Sequence, residues 1–236
     1  MLSQQTYSPP PEAISSDMKT TLLDTVKRIG TGLALILFPL VFAFCYAIYP
    51  GLVILGNPLL PTQMLSDQAA IMQAHGNALF TFGQVLILFD ATLLIVITLH
   101  FMQLLKRGWV AWAGFIGAAF TVFGAVLLAA EKGAALLMIS ALNTFPAQMI
   151  PGLAAMFPSQ GWMVWGIGLI AIGIGIQAIG MIAANVIPRW QSILLLIGIS
   201  MLGGSGGFEI VSLGAPIFLA VALVPHAIQL LRNQNR

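Results

Sequence analysis

The chain has 236 residues, 59% of them hydrophobic and only 7% charged, with a net charge of +2. A water-soluble domain carries about 25% charged residues, so this composition excludes a globule wrapped in water and makes lipid the main solvent. The small positive charge, with no basic stripe, excludes nucleic acid as a partner. The single cysteine, Cys45, excludes an intramolecular disulfide and a cysteine metal cage, and reads as an apolar-face filler.

Residues 1–28 form a tail of mixed charge in which Pro9-Pro10-Pro11 opposes a helix. Asp17 to Arg28 fits either a short amphipathic lead-in helix or a flexible tail. The first apolar run, Ile29–Tyr49, follows too long a polar segment and lacks a small-x-small site behind it, so it is expected as a retained span rather than a cleaved signal. Pro39 inside it predicts a kink.

Residues 50–77 contain no Lys or Arg, and Thr62–Ala74 fits a short surface helix. Span two, Ala78–Leu105, is opened by His75-Gly76-Asn77 and closed by Lys106-Arg107. Span three starts at Trp109 and reaches Glu131-Lys132 after about 22 residues, or about 33 Å, one hydrocarbon thickness. The charged pair is therefore expected at the far rim of the membrane. Gly133–Leu142 then either prolongs the helix or turns back.

Asn143–Gln160, with Pro146, Pro151 and Pro158, reads as a membrane-hugging loop. Span four is Gly161–Ile187, where Gly166, Gly173 and Gly180 recur every seven residues and offer a close-packing face for a membrane-protein partner or a second copy. Span five, Trp190–Leu202, is short and runs into the glycine-rich turn Gly203–Gly207. Span six, Phe208–Leu231, contains Pro216 and Pro225.

The expected fold is all-α: a polytopic transmembrane bundle of about six spans at 29–231, between a tail at 1–28 and a second at 232–236. Six spans put Lys19, Lys27, Arg28, Lys106, Arg107, Arg189, Arg232 and Arg236 on one side and Lys132 alone on the other. The positive-inside rule then places both termini in the cytoplasm.

This topology carries His75, Asn77, Glu131, Lys132 and Glu209 to the outer side of three spans, where they are expected either to share one outward polar pocket or to sit separately in wet headgroups. Asp90 falls about 18 Å into span two, near the midplane, and Gln177 lies at comparable depth in span four. The pair fits a proton or cation relay, or equally a hydrogen bond that only fixes helix packing. His100 and His226 fall toward the cytoplasmic side, where they could be neighbours; a bis-histidine haem is conceivable, but the preferred reading is interfacial side chains without a ligand role, so no cofactor and no metal are expected. No HExxH helix, GxSxG elbow or phosphate loop is present, which weighs against an enzyme.

Four stretches together resemble a group of bacterial six-span membrane proteins with no assigned activity: His75-Gly76-Asn77 before Ala78-Leu79-Phe80 and Gly83, Glu131-Lys132-Gly133-Ala134, Ile187-Pro188-Arg189-Trp190-Gln191, and Glu209-Ile210-Val211-Ser212. The likeness covers about residues 30–230. It implies six spans, a carboxylate at the place of Glu131 and weight on the outer polar residues; it names no substrate. The leading functional expectation is a binding or accessory membrane component with an outward polar pocket. A small-solute or proton-coupled transporter is the second reading, motivated by Asp90 and the prolines, and a membrane-embedded enzyme the third.

Overall fold

The computed structural model describes residues 11–48, 75–149, 152, 161–204 and 209–232, with side chains over 24–45, 75–149 except 147, 165–202 and 214–232. The surface helix expected at Thr62–Ala74, most of the loop expected at Asn143–Gln160 and most of the turn Gly203–Gly207 lie outside the described residues.

Among the described residues there are six α-helices, one short 3-10 turn at Ala147–Met149 and no strand. They are α1 (Pro11–Ile48), α2 (Ala78–Leu104), α3 (Trp109–Thr144), α4 (Gly161–Ala184), α5 (Arg189–Gly204) and α6 (Glu209–Arg232). Five of them contain segments long and apolar enough to cross a membrane: Asp24–Cys45, Ala78–Leu104, Trp109–Thr144, Trp165–Ala184 and Gly214–Arg232. The chain is a multi-pass membrane protein. The apolar part of α5, Arg189–Leu202, is shorter than that measure, about 21 Å against a hydrocarbon layer of about 30 Å.

Local chemistry accounts for the element ends. Pro11 takes the first helical position, where its missing N–H is not needed, so α1 runs unbroken from there through the segment expected as a separate lead-in. Asn77 caps α2: its side-chain oxygen accepts from the Leu79 and Phe80 amides at 2.9 and 3.4 Å. The turn from α2 to α3 goes through Gly108 at φ 61°, a left-handed backbone that suits glycine. Pro188 opens α5, its carbonyl accepting from the Gln191 amide at 2.9 Å.

The helices form a ring in chain order. Each packs on the next, α6 closes the ring against α1, and α2 touches α4 across it. The tightest seam joins α3 and α4. Gly166 and Gly173 of α4 meet Gly124, Gly117 and Thr121 of α3. A Cβ on Gly117 or on Gly124 would stand 2.6 Å from the carbonyl oxygen of Gly173 or Gly166, so neither position accepts a side chain without parting the helices. Gly180 faces Leu105 and Ala113. The seven-residue glycine row is thus taken up inside the chain, against a matching pair on α3.

The apolar core fills one half of the ring. It is built from Leu35 and Phe38 of α1, Leu93, Leu94, Ile97 and Phe101 of α2, Ile174 and Met181 of α4, Ile199 of α5, and Leu219 and Leu223 of α6. On α2 it stops at Leu93, one turn after Asp90. Beyond that level Gln84, Glu131 and Lys132 are buried among apolar side chains such as Phe80, Ala135, Met138 and Ile139.

Candidate functional site: a buried charged chamber

α3 does not end at its charged pair. Glu and Lys are good helix formers, and the Ala-, Leu- and Met-rich stretch after them keeps the helix going to Thr144. Glu131 and Lys132 therefore lie well inside a 36-residue helix, about 54 Å long. Both are buried: Lys132 is 1% exposed and Glu131 6%. Lys132 Nζ stands 3.9 Å from Glu131 Oε1.

Two contacts fix how α2 and α3 run past each other. The Asn143 side-chain amide donates to the His75 carbonyl at 3.2 Å, and at the other end Gly114 abuts Met102 and Leu105. This antiparallel register sets Glu131 and Lys132 opposite Gln84–Leu88, about 3–9 Å from Asp90 along the axis. Side chains in a helix lean toward its N-terminus. Asp90 on the descending helix and Lys132 on the ascending one lean toward each other's level.

Asp90 is 5% exposed, and its Oδ1 has no hydrogen-bond partner among the described residues. Gln84, one and a half turns before it, is also buried with its Oε1 unpartnered. Cys45 closes the α1 side: its thiol donates to the Gly83 carbonyl at 3.6 Å and lies within electrostatic reach of both Asp90 and Lys132. Asp90 of α2 and Lys132 of α3 thus both come within electrostatic reach of the Cys45 thiol of α1.

The other expected site residues fall elsewhere. His75 and Asn77 lie at the level of Asn143, 11 or 12 residues along α3 from the charged pair, about 17 Å away. Asn77 is exposed and occupied as a helix cap. Glu209 opens α6 and has no described side chain. Gln177 is bound within a closed knot: its amide donates to the Thr98 carbonyl at 3.0 Å and the Gly114 carbonyl at 3.1 Å, and it accepts from the Thr98 hydroxyl at 2.8 Å. Thr98 is eight residues from Asp90 on the same helix, about 12 Å, so this knot and Asp90 form two separate polar features.

Cys45 joins this region although its residue type gave no reason to single it out. A cysteine in an apolar run is a common packing residue, and only the structure shows it within reach of Asp90 and Lys132. Among the described residues no three His, Cys, Asp or Glu side chains converge as a metal site. Comparison with known protein families, curated proteins and solved structures found no match.

Proposed function

We propose that the chain is a proton-conducting membrane transporter whose proton is held at Asp90. The observation that carries this reading is the Asp90 carboxyl itself, buried midway along α2 with one oxygen unpartnered, beside a buried Glu131–Lys132 pair. Isolated charge in a medium of low dielectric is costly. A proton on the Asp90 carboxyl removes its charge at no steric cost. Glu131 holds Lys132.

The finer topology belongs to the same proposal. The short α5 crosses as a sixth span, and both termini face the cytoplasm of a bacterial cell. Eight of the nine basic residues then share one side, as the positive-inside rule requires.

The test uses the full chain in liposomes loaded with a pH-sensitive dye. A potassium diffusion potential drives proton entry. Wild-type protein is expected to carry a current above that of empty vesicles, and Asp90→Asn, which keeps shape but cannot exchange a proton, is expected to abolish it. A wild-type flux equal to that of empty vesicles, with folded protein recovered from them, overturns the proposal. The accessory-component reading then stands in its place.

A further inference from the structure

A second polar level lies in the half of the ring that carries the basic residues. His100 of α2 and His226 of α6 meet across α1, their Nε2 atoms 3.1 Å apart and their ring centroids 5.4 Å apart. The two imidazoles lie within hydrogen-bond distance of each other although α2 and α6 are not adjacent in the ring.

α5 adds to it. Gly198 faces Phe218 and Leu219 of α6, and Gln191 and His226 each lie one seven-residue repeat from that contact in the antiparallel sense. Seven residues return a helix to nearly the same face, so Gln191 is turned toward α6 at the level of His226. Gln191 is 1% exposed with an unpartnered Oε1, and the adjacent Ser192 is fully buried with an unpartnered hydroxyl. Two imidazole nitrogens and two oxygen acceptors therefore gather at one level among three helices.

We propose that His100, His226 and Gln191 form a binding site for a divalent transition-metal ion of the zinc class. Zinc–imidazole bonds of about 2.0–2.1 Å at a tetrahedral angle place two ligating nitrogens about 3.3 Å apart and the ring centroids about 5.2 Å apart. The observed 3.1 and 5.4 Å differ from those values by a few tenths of an ångström, within reach of a small side-chain rotation. Imidazole nitrogens with an amide oxygen suit a borderline ion rather than calcium or magnesium. Gln191 Oε1 supplies the third ligand and water the fourth. Lys27, the cation whose charge reaches His100, sits on the exposed side of α1 where water screens it. This site is independent of Asp90: it lies about 15 Å further along α2, with Leu93, Leu94 and Ile97 packed between.

The test is a titration of the full-length chain, without a histidine tag, by Co2+ as a visible stand-in for Zn2+. One equivalent is expected to produce the strong visible absorption of a four-coordinate site, and one equivalent of Zn2+ to remove it. His100→Gln and His226→Gln are each expected to abolish the band, Gln191→Leu to weaken apparent affinity by about tenfold, and His75→Gln to leave it unchanged. Should a variant fail to fold, paramagnetic broadening by Co2+ of the His100 and His226 ring resonances, but not that of His75, reports the same site in the wild-type chain. No band and no selective broadening in the wild type, or a band that survives in the folded double histidine variant, overturns the proposal.

Discussion

The Gln177 knot and the Asp90 chamber are both buried in the ring, yet they are finished differently. Every polar atom of the Gln177 amide has a partner at 2.8–3.1 Å, and the knot ties α2, α3 and α4 together. At Asp90 and Gln84 an acceptor oxygen is left over on each side chain, and the nearest charges lie on a different helix. A satisfied buried network specifies and stiffens a fold, while an unsatisfied one costs free energy that a packing role does not return. Burial alone therefore does not separate the two regions; the surplus of acceptors does.

The largest effect that could break this contrast is expected at Lys132. Removing one partner of a buried ion pair leaves the other charged and uncompensated, which costs about 3–5 kcal/mol, whereas replacing both by apolar side chains is often close to neutral. Lys132→Met is expected to destabilise the chain on that scale in denaturant unfolding from detergent micelles. Glu131→Leu combined with Lys132→Met is expected to recover most of the loss. If the double variant is as unstable as the single one, the two charges do not act as a pair.

A smaller effect, of opposite character, is expected at the knot. Gln177→Leu keeps volume but strands the Thr98 hydroxyl and frees the Gly114 carbonyl, at a cost of about 1–3 kcal/mol. Proton flux in vesicles is expected to stay at the wild-type value. A variant that remains folded but no longer conducts would join Gln177 to the Asp90 path and erase the distinction between the two regions.

The all-helical, multi-pass architecture was legible in the sequence because lipid leaves few alternatives: long apolar runs with charged or proline-rich breaks must be helices. The seven-residue glycine spacing on α4 was legible too, but its partner was not. Gly117 and Gly124 on α3 carry the same spacing, and only the packed structure shows the two rows meeting within one chain. Past Glu131 the sequence left open whether the helix is prolonged or turns back, and α3 continues for 13 residues more. With that length, the expected group of His75, Asn77, Glu131 and Lys132 separates into an end level and an interior level. Lateral neighbours such as Cys45 beside Asp90, or His100 beside His226, depend on which helix packs on which, and nothing in a single sequence encodes that directly.

The end level gives the smallest and cleanest check on this separation. Asn77 accepts from the first amides of α2, and the His75 carbonyl accepts from Asn143 on α3, so the polar groups there serve to terminate and join helices. Asn77→Ala removes a helix cap, which costs about 1 kcal/mol. Because Asn77 is exposed, water takes over the freed amides and the chamber some 17 Å away keeps its geometry. The expected outcome is a slightly lower melting temperature with unchanged proton flux. Asn77→Gly is expected to restore most of the stability, since glycine is nearly as good a cap as asparagine in backbone terms. Flux lost in Asn77→Ala and not recovered in Asn77→Gly would mean that the end level and the chamber act as one polar site after all, with the proton entering past His75 and Asn77 on its way to Asp90.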